Sequence, residues 1–544
     1  MSKKSSTFAR LFNSMKKSVF IFLLMSVCVS LFAVPARRGW VTCTLADGGT
    51  VELQQQGDEF FHFWQTRDGK LAERFENGLF RLTDSPVPAS SQIAERREIS
   101  SSQNVRKIGS PTTVARGLVI LAAFSDVPYD DRDTQAAMDS LLNYSGYDYN
   151  GATGSARDYF IAQSDSQYIP VFDVAGPVTL PHNRAYYGSN RNGKDGADTD
   201  APQMVADACR LVDDQVDFTL YDDDHDGRID FVFILFAGIG ENDKNSVPEA
   251  VWPHRSDAYS KNCILDGKRL YTYACAGEMD GVTGERNGIG TICHEFGHVI
   301  GLPDYYDTKY GVNWDDCLTP NDWSSMDQGC YNNGGNTPPN YSIFDKYFMG
   351  WATPQLLAVD AQEDITLTTG YEDAYQITGG ASLLPYSTPN IVYYIENRQP
   401  VGWDAHLPGH GMLLWKVQFD QSAWSGNRPN NVANAPRYTI IAADGSAMIG
   451  DLTIQGVVYH EGKTDPFPGF AEVTAYTPFA GCEMTEITEA DGLISFKFNG
   501  GVPEGQTDVE MTDVHMPTRK IIRNGQLILL RGENQYNAQG IRIN

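Results

Sequence analysis

Two patterns of apolar and polar positions divide this chain of 544 residues. In its middle part, runs of consecutive apolar residues alternate with segments of helical period. The runs at 117–124 and 231–236 predict strands buried on both faces, and 270–275 predicts a more polar third strand. Helices are predicted around residues 133–142, 155–163 and 201–212. Because strands interleave with helices, we expect an α/β domain over residues 111–355.

Both flanks of this domain show shorter strands separated by turn residues. The turns Asp47-Gly48, Asp68-Gly69 and Asn77-Gly78 predict a small hairpin domain that ends near Thr83. From there to residue 110 the chain is rich in Ser and Pro and lacks a hydrophobic period, which is typical of a linker. Residues 356–500 are predicted to be all-β, and 501–544 to be a small β tail, for which a role as a secretion or sorting segment is one hypothesis.

The N-terminus has the pattern of a secretory signal. Basic residues precede an apolar run at 19–32, which is shorter than the roughly 20 residues of a membrane span. We expect a signal peptide over residues 1–33, with cleavage after Ala33 preferred to cleavage after Ala36. The protein is therefore predicted to be secreted or held at the cell surface, without a stable membrane span; a retained anchor is the alternative.

The charge of the chain bears on its partners, and its cysteine content bears on disulfides. The formal net charge is −27, and a surface of this sign repels phosphate, so nucleic acid is excluded as an expected partner. Eight of the nine cysteines follow the predicted signal peptide. Export permits disulfides, but eight cysteines allow 105 complete pairings, so their connectivity stays open.

The segment HEFGH at residues 294–298 carries the sharpest chemical signal. Apolar residues before and within it fall at helical spacing, so His294 and His298 are expected to project together from one helix. Two imidazoles one turn apart can bind one zinc ion, and Glu295 would then act as the general base. Two ordinary histidines on a helix surface are the alternative.

The residues after the helix predict a third ligand. Gly301 can adopt the left-handed conformation that ends a helix, and Pro303 prevents the helix from resuming. Asp304 is the first carboxylate after this turn, and we expect it to complete the zinc site. Asp307 is the nearest competitor, and a glutamate on a later helix is the other possibility.

A second acidic pattern precedes the strand at 231–236. Asp222, Asp224, Asp226 and Asp230 surround Gly227 in the spacing that begins a calcium loop. The closing glutamate of an EF-hand is absent, because that position is Phe233. A possible structural calcium site is predicted here, with a solvated acidic turn as the alternative.

Several segments together resemble the immune inhibitor A family of secreted metallopeptidases, which is close to the metzincins. They are GDEFFHFWQTRDGK, GSARDYF, LPHNRAYYG, AVWPHR, HEFGHVIGLPDYYD, NDWSSMDQGCYNN and YYIENRQPVGWDAHLPGHGMLLW. The resemblance implies a zinc endopeptidase whose N-terminal propeptide, here 34–110, inhibits the enzyme. It also implies a methionine turn beneath the zinc, matched by Met326. Tyr331 is a candidate for stabilising the oxyanion, with an ordinary packed aromatic residue as the alternative.

The predicted fold class is accordingly an α/β zincin, metzincin-like, with an N-terminal β-rich pro-domain and a C-terminal all-β region. Residues 271–275 are the candidate edge strand that would hold extended substrate. The predicted function is a secreted zinc-dependent endopeptidase, made as a zymogen, that acts on proteins or peptides. Two alternatives remain at this point: a zinc-dependent amidase, and a calcium-stabilised adhesion protein with a vestigial metal site.

Overall fold

The computed structural model describes most of the chain after the predicted signal segment. The described residues are 32–59, 61–75, 77–83, 116–190, 198–308, 319–378, 391–432, 436–443, 453–454, 457–458, 466–469, 472–478, 480–502, 519–523, 526–531 and 534–537. The predicted signal peptide thus lies outside them except for its last two residues, as does the predicted linker. None of the helices in the described ranges is both long and apolar enough to cross a membrane.

Strands far outnumber helices in the described part of the chain. The strands are β1 (Phe32–Ala33), β2 (Val41–Thr44), β3 (Thr50–Asp58), β4 (Phe61–Gln65), β5 (Leu71–Arg74), β6 (Phe80–Thr83), β7 (Arg116–Ala123), β8 (Val171–Thr179), β9 (Arg228–Ile229), β10 (Val232–Ile239), β11 (His254–Asp257), β12 (Ile264–Leu265), β13 (Lys268–Leu270), β14 (Thr272–Met279), β15 (Gln355–Ala358), β16 (Glu363–Leu367), β17 (Gly370–Thr378), β18 (Ile391–Arg398), β19 (Gly411–Gln418), β20 (Tyr438–Ile441), β21 (Thr453–Ile454), β22 (Val457–Val458), β23 (Met484–Ala490), β24 (Leu493–Phe498), β25 (Arg519–Arg523), β26 (Gln526–Arg531) and β27 (Asn534–Asn537). The helices are α1 (Gln135–Asn143), α2 (Ala156–Gln163), α3 (Arg184–Gly188), α4 (Ala201–Val212), α5 (Gly290–Ile300), α6 (Ile343–Met349) and α7 (Gln421–Ser425).

A six-stranded mixed sheet forms the centre of the α/β part, in the order β1-β11-β14-β10-β7-β8. Strands β14, β10, β7 and β8 run parallel, whereas β11 is antiparallel to β14 and β1 is antiparallel to β11. The two continuous apolar runs of the sequence form β7 and β10, in the middle of this sheet. The three helices predicted in this region are α1, α2 and α4, which confirms the mixed α/β class.

Both faces of the central strands are covered, which explains why their sequences lack alternation. On β10, Phe233 and Leu235 join the core beside α1, α2 and α5, whereas Ile234 and Phe236 join the core beside α4. Helix α5 therefore lies against one face of the sheet, and α4 lies against the other.

The prediction that residues 271–275 form an edge strand is wrong. Strand β14 lies inside the sheet between β10 and β11. The four residues of β11 extend the sheet beyond it, and β1 pairs with their outer side. The sequence HRSD of β11 is polar and short, so it carries no strand pattern, although its side chains are largely buried.

The segments before and after the α/β part form separate sheets. Strands β2 to β6 form a five-stranded sheet at the N-terminal side. After the α/β part, one sheet has the order β15-β17-β18-β19-β20 and another has the order β16-β24-β23. Tyr394 and Trp415 of the first of these sheets share a core with α2 and α5, while Ile395 and Leu414 face the second sheet. The C-terminal strands thus contribute to the same core as the helix that carries the histidine motif, and Tyr394 contacts Phe344 of α6.

Candidate metal site

Helix α5 carries both histidines of the motif and ends where the sequence predicts. Gly301 follows it with φ 114°, and its N–H donates to the carbonyls of Gly297 and His298, both at 3.1 Å. This backbone conformation favours glycine, because a Cβ atom would strain it. The chain therefore leaves the helix in a sharp turn that returns toward the histidines.

Three ligand atoms converge at this turn. Nε2 of His294 lies 3.1 Å from Oδ1 of Asp304. Nε2 of His298 lies 3.1 Å from Nε2 of His294 and 3.2 Å from Oδ1 of Asp304. Ligands about 2.0–2.1 Å from one tetrahedral zinc ion lie about 3.3–3.4 Å apart. Two imidazoles and one carboxylate at this spacing fit a single zinc ion. Asp304 is thus the carboxylate that the structure brings to the histidines.

The second nitrogen of each imidazole is held by a backbone carbonyl. Nδ1 of His294 lies 2.7 Å from the oxygen of Ser325, and Nδ1 of His298 lies 2.8 Å from the oxygen of Leu302. When Nδ1 donates its proton to these carbonyls, Nε2 keeps a free lone pair for a metal. Both rings are therefore oriented for metal binding by atoms close to them in the fold.

Burial and charge set the protonation of this cluster. Burial lowers the pKa of His298, which favours the neutral form that binds metal. Burial acts to raise the pKa of Asp304, but a protonated His298 and hydrogen bonds from both histidines outweigh it and lower that pKa. When the histidines are neutral, a metal cation bound between them would likewise keep Asp304 ionised, as a metal ligand must be.

Asn427 fixes the orientation of Asp304. Its Oδ1 accepts a hydrogen bond from the backbone N–H of Asp304 at 2.6 Å, and its Nδ2 donates to Oδ2 of the same residue. Oδ1 of Asp304 is the atom that faces the imidazoles. Nothing in the asparagine-rich segment around Asn427 indicated this role.

Met326 packs against helix α5 at Gly297, the residue next to His298. Its side chain is fully buried, and a Cβ atom placed on Gly297 would come within 2.6 Å of its sulfur. Glycine at that position of α5 therefore allows the close approach. The backbone oxygen of Met326 also accepts from the N–H of Tyr305 at 2.9 Å, which joins this turn to the one that carries Asp304.

Glu295 lies close to the ligand triangle, since the charge of Asp304 acts on its carboxyl group. Its side chain is fully buried, and Oε1 accepts from the backbone N–H of Val34 at 3.0 Å. Within the described part of the chain, Oε2 has no hydrogen-bond partner. Burial, followed by the charge of Asp304, raises the pKa of Glu295 well above its ordinary value. A buried acid with a free oxygen is suited to carrying a proton.

Comparison with known proteins gives the same indication as the geometry. Residues 117–352 match the sequence model described as "Immune inhibitor A peptidase M6, catalytic domain". Over these residues the chain is similar to the catalytic domain of the immune inhibitor A peptidases. The resemblance drawn from the motifs is thereby confirmed, and the domain contains both histidines, Glu295, Asp304, Met326 and Tyr331.

Two similar proteins match part of this chain. Pre-pro-metalloprotease PrtV of Vibrio cholerae serotype O1 (strain M66-2) is 28% identical over 282 residues, which cover 43% of this chain and 29% of that protein. Immune inhibitor A of Bacillus thuringiensis subsp. alesti is 28% identical over 216 residues, which cover 35% of this chain and 31% of that protein. The matched part thus spans less than a third of either relative.

An N-terminal segment lies in the cleft of the peptidase domain. We call residues 34–37 the cleft segment. The N–H of Val34 donates to Glu295, as described above. The carbonyl of Val34 accepts from Nε1 of Trp252 at 3.0 Å, and the carbonyl of Pro35 accepts from the Tyr331 hydroxyl at 2.6 Å. The carbonyl of Ala36 accepts from Nε2 of Gln328 at 3.1 Å. The segment therefore contacts the cleft through consecutive backbone groups, as an extended peptide would.

Tyr331 contacts the cleft segment rather than the ligand triangle. Its hydroxyl donates to the oxygen of Pro35 and accepts from Nδ2 of Asn242 at 2.8 Å. The predicted role in stabilising an oxyanion stays a prediction, because in this arrangement the hydroxyl is committed to a different carbonyl. The structure adds Asn242 and Trp252 as cleft residues that no sequence pattern indicated.

The acidic loop brings together three of its four predicted ligands. Carboxylate atoms of Asp222, Asp224 and Asp226 lie within 4.8 Å of one another. Asp230 is outside this group, since its Oδ2 instead accepts from the N–H of Asp223 at 2.6 Å. Lys268 Nζ lies 2.5 Å from Oδ2 of Asp222 and already neutralises part of the loop's charge.

Proposed function

We propose that the chain is a zinc-dependent endopeptidase that is secreted as a latent precursor. The observation that carries this proposal is the triangle formed by His294, His298 and Asp304 beside Glu295. A structural zinc site needs ligands but no base, whereas a catalytic site combines three protein ligands with a neighbouring acid or base. The printed name of the Vibrio cholerae relative, a pre-pro-metalloprotease, supports both the activity and the precursor.

The protein groups around the triangle suit peptide hydrolysis. Zinc bound by these residues would supply Lewis-acid polarisation of the scissile carbonyl and of the attacking water. Glu295 takes the proton of that water on its carboxylate and then delivers it to the leaving nitrogen. The N–H of Val34, 3.0 Å from Oε1, marks where such a nitrogen would lie.

The arrangement around α5 supports a metzincin-like zincin fold. The helix lies against a mixed sheet, a glycine turn precedes the third ligand, and Met326 packs against Gly297 of the helix. In the cleft segment, the carbonyls of Val34, Pro35 and Ala36 each accept a hydrogen bond from a side chain of the domain. Binding an extended backbone in this way favours a protein or peptide substrate over a small amide.

Latency follows from the position of the cleft segment. It occupies hydrogen-bonding side chains of the domain that a substrate would need. Gly57 of β3 holds it from the other side by accepting from the N–H of Ala36 at 2.8 Å. The hairpin of β3 and β4 is also anchored to the peptidase domain, because His62 lies 3.1 Å from Glu241 and stacks on Trp252. We infer that residues 34–110 act as an inhibitory propeptide.

Metal analysis combined with a casein cleavage assay tests this function. The secreted full-length chain should contain about one zinc ion and show little activity until a trypsin-like protease cuts within residues 95–110. Activity should then rise, and the same treatment of a Glu295→Ala variant should yield no comparable activity. Equal activity of the intact and cut chains would contradict latency, and an active Glu295→Ala variant would contradict the catalytic assignment.

The two alternatives from the sequence give different results in the same experiment. An amidase would leave casein intact but hydrolyse small amides after activation. An adhesion protein with a vestigial site would hydrolyse neither substrate. The buried Glu295 beside the triangle favours an enzyme, since a vestigial structural site has no use for it.

We also propose that Asp222, Asp224 and Asp226 can bind calcium for stability. Their proximity and oxygen ligands support this assignment. The ion pair between Asp222 and Lys268 opposes it, so calcium would have to displace the Lys268 ammonium. The site would act on stability rather than on catalysis.

A further inference from the structure

Arg37 of the cleft segment is held by two carboxylates of the peptidase domain. Its Nη1 donates to Oδ2 of Asp243 at 3.1 Å and to Oδ2 of Asp280 at 2.5 Å. The two acidic side chains are only 6% and 4% exposed, and the guanidinium carbon lies 5.8 Å from the centre of the Tyr331 ring. We call Asp243, Asp280 and this ring the acidic pocket.

Backbone N–H groups of the peptidase domain also hold the two carboxylates. Oδ2 of Asp243 accepts from the N–H of Gly281 at 3.0 Å. Oδ1 of Asp280 accepts from the N–H groups of Val282 and Thr283, both at 2.8 Å. Because these bonds lie within the peptidase domain, they do not depend on the cleft segment. When Arg37 leaves, two close and buried carboxylates lose their counter-ion, and a basic side chain of a substrate can take its place.

The contacts of the cleft segment show which residue of a substrate the acidic pocket would bind. The N–H of Val34 lies at Glu295, where the leaving nitrogen of a substrate would be. Val34 therefore corresponds to the first residue after the scissile bond. Pro35 and Ala36 follow, each with its carbonyl bound by a side chain of the domain. Arg37 corresponds to the fourth residue after the bond.

We infer that the acidic pocket is a substrate subsite that recognises arginine or lysine at the fourth residue after the scissile bond. This inference rests on the proposed peptidase function and names part of its substrate class. Burial acts to lower the pKa of Arg37, but Asp243 and Asp280 outweigh it and raise that pKa. The cleft segment thus inhibits by placing a preferred side chain in a pocket that substrates use.

Mapping cleavage sites tests the subsite directly. The secreted full-length chain, activated by cleavage of its linker, is incubated with a library of proteome-derived peptides, and mass spectrometry identifies the cut bonds. Arginine and lysine should be enriched at the fourth residue after the cut. The enrichment should disappear in Asp280→Asn, which keeps the shape and the acceptor Oδ1. It should persist in Glu285→Gln, which removes an exposed acid from the same loop region.

A matched peptide pair gives the magnitude. Two peptides that differ only by Arg or Ala at this position should differ in kcat/KM by on the order of tenfold or more, as expected for charge-assisted hydrogen bonds. The ratio should approach one in Asp243→Asn and in Asp280→Asn. Binding of the peptides Val-Pro-Ala-Arg and Val-Pro-Ala-Ala to activated Glu295→Ala protein should show the same preference without turnover.

The outcomes separate the subsite from the proposed function. If wild-type protein cleaves no peptide, the peptidase proposal fails. If it cleaves peptides but the Arg and Ala peptides react equally, only the subsite is overturned. The wild-type ratio decides this even if both asparagine variants fail to fold.

Discussion

Asn427 and Asp304 are joined by two hydrogen bonds that act in opposite directions. The amide oxygen of Asn427 accepts from the backbone N–H of Asp304 at 2.6 Å, and its amide nitrogen donates to Oδ2 of the Asp304 carboxylate. The pair fixes both the backbone and the side chain of the proposed third ligand. A residue that lies beyond the matched peptidase domain therefore helps to shape its metal site.

Replacing Asn427 should weaken metal binding without removing a ligand. Asn427 has φ 52°, so Asn427→Gly removes the amide while tolerating the backbone conformation. Loss of a residue that hydrogen-bonds a metal ligand lowers metal affinity by about 10–100-fold. Competition with a chromophoric chelator measures it. Asn262→Gly is the matched control, because Asn262 has φ 48° and lies elsewhere in the domain. Equal zinc affinities for the two variants would exclude the positioning role.

Asp304 and Glu295 should separate metal binding from catalysis. Asp304→Ala removes a proposed ligand, so we expect the variant to lose zinc and activity together. Glu295→Gln keeps the ligand triangle, so zinc content should stay near that of the wild type while turnover falls by on the order of 10²–10⁴. Zinc content by mass spectrometry and casein cleavage are measured on the same samples. Loss of zinc in Glu295→Gln, or its full retention in Asp304→Ala, would contradict the assigned roles.

The local part of the candidate site could be predicted from the sequence because eleven residues contain it. Spacing places His294 and His298 on one helix face, and the glycine and proline after the helix dictate the turn to Asp304. The structure places all three together. The strands at the centre of the sheet were predictable for a similar reason, since burial on both faces leaves a continuous apolar run.

The remaining parts of the candidate site and of the sheet depend on contacts between segments that are distant in the sequence. Asn427 lies 123 residues beyond Asp304, and Tyr331 meets Pro35 across 296 residues. Neither pair leaves a periodic signal in the sequence. Strand β11 was missed because its residues are polar and few, and its pairing is decided by β14 and β1. The edge was therefore assigned to the more strand-like β14.

Calcium should raise the melting temperature of the wild-type protein if the acidic loop binds it. The expected cause is that a cation shared by Asp222, Asp224 and Asp226 binds the folded loop and not the unfolded chain. A calcium titration at constant zinc is followed by thermal unfolding, since EDTA would also remove zinc. Asp224→Ala should lose the shift, and Asp214→Ala, an exposed acid outside the loop, should keep it. An identical shift in all three proteins would place calcium elsewhere.

His254 should make the protein less stable as the pH falls. Burial lowers its pKa from 6.5 to about 4, while Nδ1 lies 2.6 Å from the Trp252 oxygen and Nε2 lies 2.7 Å from the Tyr273 hydroxyl. Since the folded-state pKa is depressed, its contribution is present above about pH 6.5 and is lost as the pH falls through about 4. The shift corresponds to on the order of 3 kcal/mol.

Thermal unfolding between pH 4 and pH 7 measures this dependence. The gap in melting temperature between wild type at pH 7 and at pH 4 should shrink in His254→Gln, which cannot take up a proton. His406→Gln replaces an exposed histidine and serves as the control. The same pH profile in wild type and in His254→Gln would show that other groups control the acid sensitivity.

Removing Arg37 should activate the intact precursor. In Arg37→Ala, Asp243 and Asp280 lose their buried counter-ion, so the cleft segment should leave the cleft more often. A charge-assisted contact of this kind contributes about 1.5–3 kcal/mol, which predicts a rise in basal activity on the order of tenfold or more. Arg37→Lys keeps the positive charge and should stay largely latent.

Arg67→Ala is the control on the same N-terminal sheet, because its pair with Glu52 is about half exposed and contributes little. The measurement is cleavage of a peptide without basic residues, with gel analysis to verify that the linker stays uncut. Basal activity in Arg37→Ala equal to that of Arg67→Ala would mean that latency depends on the backbone contacts of the segment and not on the acidic pocket.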